Sequence, residues 1–472
     1  MKIVRVRRMR SILSGAVALA LAATAAQAVP VIPGAAGYGI NTPAGRGGTV
    51  YRVTNLNASG AGSLKACIDG TTARVCVFEV GGYIRLTSDL LIRNNKITIA
   101  GQTAPSPGIT IRGAALRIQA SDVLVQHIRV RAGDDLNGPD PENRDSLKLE
   151  GSSTSRPVTN VVIDHCTFSW ALDELASVWG PNDNITFSNN IFSEPLNDSM
   201  HPTKDGKSLE PHGYGVLLGS SATGGRVTMV GNLLAHIAER NPLTRAREFV
   251  FVNNIVYDRA EVDLDIQSQD GRITKSSIDG NVFLRGPSYS RETRPIYIRT
   301  NTSYKLYAGS RVYVHDTMAP ESGTSLSSVV VLTGGDILSG LLSTTTKPVW
   351  NTGLTARATA NNAVYDRVLQ YAGARPSNRD NTDKRVVASV RNRSGQIINC
   401  VSANGTSRCQ KNAGGWPSLT QTSRKLTLPA NPNTVASNGY TNLENWLHSL
   451  DQSIQGITQS SSAAAPADLS VQ

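Results

Sequence analysis

The stretch Val161–Phe168, which reads VVIDHCTF, decides the fold, because variants of it return five more times. They are VLVQHIRV from Val123, ITFSNNIF from Ile185, VTMVGNLL from Val227, FVFVNNIV from Phe249 and SSIDGNVF from Ser276. The third and eighth places are apolar, as in Ile163 with Phe168 and Phe251 with Val256, and the sixth holds Ile128, Cys166, Asn190, Asn232, Asn254 and Asn281. Alternating apolar residues on both sides of a polar step describe two short strands meeting at a corner. Recurrence every 22 to 42 residues is the spacing of stacked coils, some of them carrying loops. Asparagine at the corner suits the left-handed backbone of such a turn, and stacked amides can bond from coil to coil. The expected fold class is all-β, a parallel β-helix whose coils run from about Val77 to Leu332.

Residues 1–28 run from a basic stretch (Lys2, Arg5, Arg7, Arg8, Arg10) through an apolar core to Ala26-Gln27-Ala28, a small-x-small cleavage site. This reads as a signal peptide, so a secreted protein, periplasmic or extracellular, is expected. Its removal takes five of the +11 net charges, and the remaining modest surplus points towards an acidic partner. No later apolar run is long enough to cross a bilayer. Neither a membrane nor a nucleic acid is an expected partner, and a monomer is expected.

Cysteine usage agrees with an oxidising compartment. Cys67 and Cys76 are nine apart, as are Cys400 and Cys409, and each pair flanks a short polar loop that a disulfide could staple. Cys166 occupies the asparagine place in its coil and reads as a buried thiol. No CxxC is present to suggest a structural zinc site of that type.

The ends of the chain differ from the repeats. After a Gly-rich start, TVYRVTNL reads as a strand and GSLKACI as a short helix plugging the open end of the stack. The β-helix domain is expected over 29–350 and a C-terminal extension over 351–456. Within the extension, Ala360, Ala363, Val364, Val368 and Tyr371 have helical spacing, and Thr441 with Glu444 forms a capping box. Those helices are expected to pack on the solenoid or close its far end. Residues 457–472, rich in Ser, Ala and Gln, read as a disordered tail.

Polar residues that break the coil pattern are the candidate site. Two long loops, 134–142 and 194–214, fall on one side of the stack. Asp145 in NRDSLKL, Asp173 and Glu174 in WALDELASVW, and Arg240 with Arg245 in HIAERNPLTR each lie a few residues from a coil, so stacking can bring them to one face. Acidic residues from neighbouring coils make an oxygen-rich site for a hard cation, and Ca²⁺ is the usual guest outside the cell. Arginines beside it bind anions. Together they suit a polyanionic sugar chain in a groove. Asp164 and His165 read as structural hydrogen-bonders, and His212 and His236 as structural too, since no ligand spacing joins them. Asp173 and Glu174, being adjacent, are expected to point apart on a strand, which suits the paired carboxylates of a glycosidase poorly.

The chain resembles the pectate lyase family over nearly all of the mature sequence. GRGGTVYRVTNLNASGAGSLKACI, VVIDHCTFSW with DE shortly after, NITFSNNIF, HGYGVLLGSS, RNPLTR and FVFVNNIVYD fall in the family's order, as do AVYDRVLQYAGARP, DKRVV and GYTNLENWLHSL near the end. The resemblance implies a right-handed parallel β-helix and cleavage of α-1,4-linked galacturonate by Ca²⁺-assisted β-elimination. It places Arg240 as the base that removes the C5 proton and Arg245 as a ligand of the substrate carboxylate. It places Asp145 and Asp173 on Ca²⁺-ligand positions, with Glu174 able to complete the set, because Asn143 and Ser177 stand where other members carry carboxylates. Tyr214 stands where a substrate-binding lysine is expected, and Lys204 or Lys207 on the preceding loop could substitute for it. The alternatives are a Ca²⁺-independent pectin lyase and a non-catalytic β-helix that binds polysaccharide.

Overall fold

The computed structural model describes residues 29–219, 224–269, 271–289, 294–300, 303–334 and 338–457, together with Met1. The signal-peptide reading and the tail beyond 457 lie outside the described residues. Among the described residues, strands assemble into three largely parallel sheets of eleven, nine and nine strands, the second of which counts one antiparallel strand, Thr422–Ser423, among its nine. A typical coil runs along Asn182–Ser188 in the first sheet, turns at Asn189, continues along Ile191–Ser193 in the second, and reaches Tyr214–Leu218 in the third. The chain then starts the next coil at Arg226–Val230.

The repeats quoted above stack in register. Val123, Val161, Ile185, Val227, Phe249 and Ser276 are successive Cα partners across the first sheet, so each place of the pattern forms a column. The third-place column Ile163, Phe187, Met229, Phe251 and Ile278 and the eighth-place column Phe168, Phe192, Leu234, Val256 and Phe283 fill the interior. Phe168 stacks on Phe192 with ring centroids 5.4 Å apart. One continuous core results, which is what fuses many three- to seven-residue strands into a stable unit.

The asparagine column works as a ladder, but it is not where the backbone turns left-handed. Positive φ falls one place earlier, at His127, His165, Asn189, Gly231, Asn253 and Gly280, with φ between 46° and 69°. The sixth-place amides instead bridge coils. Oδ1 of Asn190 accepts from the Cys166 amide at 2.8 Å, that of Asn232 from the Asn190 amide at 2.9 Å, that of Asn254 from Asn232 at 2.9 Å and that of Asn281 from Asn254 at 2.9 Å. Each ladder amide also donates to a carbonyl of an earlier coil, as Asn232 does to Phe187 at 3.0 Å. Every buried corner amide therefore has a partner, which is the condition for burying it. Cys166 ends the ladder with its thiol towards the Asp164 carbonyl at 3.3 Å, and burial pushes its pKa up, so it is an inert thiol.

The coils begin earlier than Val77. Thr49–Val53 pairs in parallel with Arg74–Phe78 and opens the first sheet. The helix Leu64–Ile68, capped by Ser63, buries Leu64, Cys67 and Ile68 against that end, and the Cys67–Cys76 disulfide ties it to the adjoining strand. Buried Arg74 holds the helix end through the carbonyls of Cys67 at 2.8 Å and Ile68 at 2.7 Å. Cys400 and Cys409 form a second disulfide.

The C-terminal helices lie along the flank of the solenoid. Ala363–Tyr371 and Asn381–Asn392 set Val364, Val368, Leu369, Val386, Val387 and Val390 on outward residues of the second sheet. Asn442–Gln455, with its Thr441–Glu444 capping box, covers the first sheet's early coils through Leu443 and Leu447. Between helix and coil lies a buried ion set in which Arg131 meets Asp380 at 2.7 Å and Asp383 at 2.8 Å, and Arg129 meets Asp383 at 3.2 Å. Neither flanking cluster includes a residue of the third sheet. That sheet is left as the face on which a groove can form.

Candidate functional site

In the third-sheet strand Leu147–Glu150 the alternation LKLE sends Leu147 and Leu149 into the core, which turns Lys148 and Glu150 outwards. Lys148 is in register with Ser177 of the strand Glu174–Trp179, and Glu174 with Tyr214 of the next. The loop before each strand adds its own acid, Asp145 in one case and Asp173 in the other. Arg240 follows in the next coil, just ahead of the short strand Leu243–Thr244, which pairs with Leu217 and Leu218.

Asp145, Asp173 and Glu174 each bring a carboxylate oxygen within 4.8 Å of the others'. Adjacent residues converge here because Asp173 precedes the strand and Glu174 opens it, so strand alternation does not separate them, contrary to the sequence expectation. The three acids gather at one point instead of facing each other across a bond, which still argues against paired-carboxylate hydrolysis. Asp145 is fully buried, and its pKa is raised well above the ordinary carboxylate range, first by burial and then by the charge of Asp173. Ser177 donates to Asp145 Oδ2, while Asp145 Oδ1 has no hydrogen-bond partner and lies 3.6 Å from Lys148 Nζ. Clustered hard oxygens, one of them buried and unpartnered, fit an oxygen-seeking divalent cation such as Ca²⁺. Asn143, by contrast, is exposed in its loop and bonds Asp140 at 3.5 Å, and so takes no part in the cluster.

Arg240 donates to Glu174 Oε1 and lies over the Tyr214 ring, 4.2 Å from its centroid. Its φ of 64° is left-handed, a conformation that costs a bulky residue energy unless its surroundings hold it. Burial lowers its pKa to about 10; Asp173 opposes the shift and Arg245 reinforces it. The pKa of Tyr214 itself is raised to about 12, chiefly by burial and then by Glu239. Arg245, just past the strand Leu243–Thr244, lies over Tyr304 at 4.0 Å and donates to Gln267 of the next coil at 3.0 Å. Glu239, beside Arg240 in sequence, is pushed up to about 7 by burial and by its hydrogen bond with Glu261.

The structure therefore brings Asp145, Asp173, Glu174, Tyr214 and Arg240 together, with Arg245 adjoining. Lys204 and Lys207 stand exposed on the intervening loop, where Lys207 meets Asp205 at 3.6 Å. Three further groups lie beside the cluster. The Nε2 of His212 lies 3.1 Å from Asp173, and its ring stacks on His201 at 3.6 Å and tilts against Tyr214 at 3.8 Å. Lys148 was readable from the LKLE alternation. Trp179, 45% exposed, lies on the same strand face as Ser177 and offers an aromatic surface to a sugar ring. His236 is as expected, buried between Asp258 at 2.6 Å and Ser389 at 2.7 Å.

No family model matches the chain. Among solved structures, the crystal structure of jun a 1, the major allergen from cedar pollen, superposes with a TM-score of 0.51 over 72% of this chain and 92% of that one, at 19% identity. That likeness supports the parallel β-helix and nothing finer. Sequence relatives say more. Probable pectate lyase C of Aspergillus fumigatus is 31% identical over 450 residues, 92% of this chain and 97% of the relative. Probable pectate lyase C of Aspergillus terreus is 30% identical over 439 residues, 90% of this chain and 94% of the relative. Identity at that level along almost the whole of both chains, on the same right-handed β-helix, makes this chain a member of the pectate lyase family.

Proposed function

We propose that this lyase is secreted and cleaves α-1,4-linked polygalacturonate by β-elimination, with Ca²⁺ held by Asp145, Asp173 and Glu174. The observation that carries the reading is Arg240, a half-buried guanidinium with its pKa lowered to about 10, fixed between Tyr214 and the acid cluster. An ordinary guanidinium cannot act as a base near neutral pH. One whose protonated form is destabilised by burial and by a second arginine gives up its proton more readily, and increasingly so as pH rises. Arg240 takes the proton from C5, the C5 electrons form the C4–C5 double bond, and the bond from C4 to the glycosidic oxygen breaks. Arg245, at the other end of the strand Leu243–Thr244, holds a uronate carboxylate through its planar fork. The cation, when bound, supplies positive charge to the substrate carboxylate and so acidifies C5. Ultraviolet absorbance of unsaturated products from polygalacturonate, with Ca²⁺ or with chelator, is the direct test. No absorbance under either condition would leave a non-catalytic polysaccharide-binding protein.

Two substitutions probe the parts. Asp145→Ala and Asp173→Ala each remove a hard oxygen donor, so each is expected to raise the Ca²⁺ concentration giving half-maximal rate by about tenfold or more. Circular dichroism should stay as in the parent. If both variants and excess chelator leave the rate unchanged, Ca²⁺ has no part and a Ca²⁺-independent lyase is the better reading.

Tyr214→Lys puts an ammonium where other family members are expected to carry one. A charge-assisted contact of roughly 1.5–3 kcal/mol corresponds to an apparent KM lowered by about tenfold or more, with kcat little changed. If KM does not move, Lys204→Ala and Lys207→Ala are the next variants, because one of those exposed amines would then be supplying the charge already. Should none of the three substitutions change KM, the groove is not holding galacturonate in this way.

A further inference from the structure

On the side of the solenoid away from the groove, a second set of metal-type side chains gathers. Corner residues His127 and His165 from consecutive coils stack with ring centroids 5.2 Å apart, and Asp451 of the C-terminal helix reaches them. One nitrogen of each ring and one Asp451 oxygen lie within 4.8 Å of one another. All three residues are buried, at 0%, 2% and 4% exposure.

The outer hydrogen bonds decide which nitrogens point inwards. His127 Nδ1 lies 2.7 Å from the Ala374 carbonyl, and His165 Nδ1 lies 2.8 Å from Asp164 Oδ2. An oxygen acceptor at each Nδ1 holds a proton there, so each Nε2 can present its lone pair to an ion once the proton shared by His127 and Asp451 has left, the arrangement that supports histidine ligands of zinc. Asp451 is oriented in turn by Gln455, whose Nε2 donates at 2.7 Å. His127 Nε2 sits 2.6 Å from Asp451 Oδ1, so in the metal-free chain that contact is a hydrogen bond. It leaves His165 Nε2 buried without a partner. His165 and Asp451 both line a cavity of about 100 Å³, which offers room for an ion and its remaining ligand.

His127 and His165 hold φ of 56° and 46° at a corner where other coils place Asn189, Gly231, Asn253 and Gly280, so the corner does not by itself call for imidazole.

We propose that His127 Nε2, His165 Nε2 and the Asp451 carboxylate bind one Zn²⁺ ion, with its fourth position open to the cavity. Binding displaces the proton between His127 and Asp451 to solvent. Two nitrogens and one oxygen are a common zinc donor set, whereas Ca²⁺ prefers oxygens alone. The ion would staple the helix Asn442–Gln455 to two coils of the solenoid, a structural role separate from the groove.

The test uses the full mature chain, stripped with chelator and dialysed. The parent should take up one equivalent of Zn²⁺ and, with Co²⁺ in its place, show visible absorption of a low-coordinate site containing histidine nitrogen. His165→Asn, which keeps a residue suited to the corner, should weaken Zn²⁺ binding on the order of 100-fold and abolish that absorption. Zn²⁺ should raise the parent's Tm by several degrees and leave that of His165→Asn unmoved. His212→Asn separates this site from the Asp173–His201–His212 cluster in the groove and should keep the absorption. Asp451→Asn serves as the second ligand variant if His165→Asn fails to fold. Absence of a stoichiometric Zn²⁺ equivalent in the parent, as when water fills the cavity, or uptake undiminished in the ligand variants, would overturn the proposal.

Discussion

Arg240→Lys is expected to lose turnover on polygalacturonate by about 10³-fold at saturating Ca²⁺, while apparent KM changes far less. The comparison is informative because basicity alone argues the other way. A lysine ammonium, with an ordinary pKa of about 10.4, gives up its proton as readily as this arginine does once burial has brought it to about 10. If the chemistry needed only a cation that can become neutral, the variant would keep most of its rate. What lysine lacks is the flat fork that lies over Tyr214 and reaches Glu174 from a left-handed backbone. A large loss therefore reports placement of the nitrogen against C5–H. Activity within about tenfold of the parent would mean that the placement of this guanidinium against C5–H does not set the rate.

How much of this was legible depended on whether a residue belonged to a column. The solenoid could be read because coils stack in register, so that Ile163, Phe187, Met229, Phe251 and Ile278 recur at one place of the motif and repeat one physical requirement. The same regularity exposed the asparagine ladder, though it did not show that the left-handed residue is its neighbour, since His127, Asn189 and Gly231 share no obvious side-chain property there. Asp145, Asp173, Glu174, Arg240 and Arg245 were found because each sits within a few residues of a strand whose place in the stack was known. His201 and His212 were not. They lie in the long loop 194–214 between the second and third sheets, which has no period, and their stacking at 3.6 Å is fixed by tertiary contacts alone. The convergence of Asp173 and Glu174 was hidden because it depends on a strand beginning between them.

The attachment of the C-terminal helices supplies the other large expected effect. Asp383 stands near the start of the helix Asn381–Asn392, buried, accepting from Arg131 at 2.8 Å, Arg129 at 3.2 Å and Thr167 at 3.0 Å. Asp383→Ala leaves two buried guanidinium groups facing Asp380 alone, and removing one partner from a buried ion set costs about 3–5 kcal/mol. A surface ion pair is worth no more than about 1 kcal/mol, so the size of the loss decides whether the set is buried in solution. The urea midpoint followed by tryptophan fluorescence is a suitable reading, because Trp170 lies under Arg131 at 5.2 Å and against Trp416 at 4.9 Å. Raising the salt concentration should change the difference little, since buried pairs are poorly screened. Acid should weaken parent and variant alike, because both keep Asp380. Its carboxyl is held below its ordinary range; burial works against this, and Arg131 and Arg129 outweigh it. Its stabilising contribution is thus complete above the unfolded value of about 4 and is lost as pH falls through the lower folded one. A difference below about 1 kcal/mol at neutral pH would mean that the helix is held by its apolar face against the second sheet, and that the four charges add nothing.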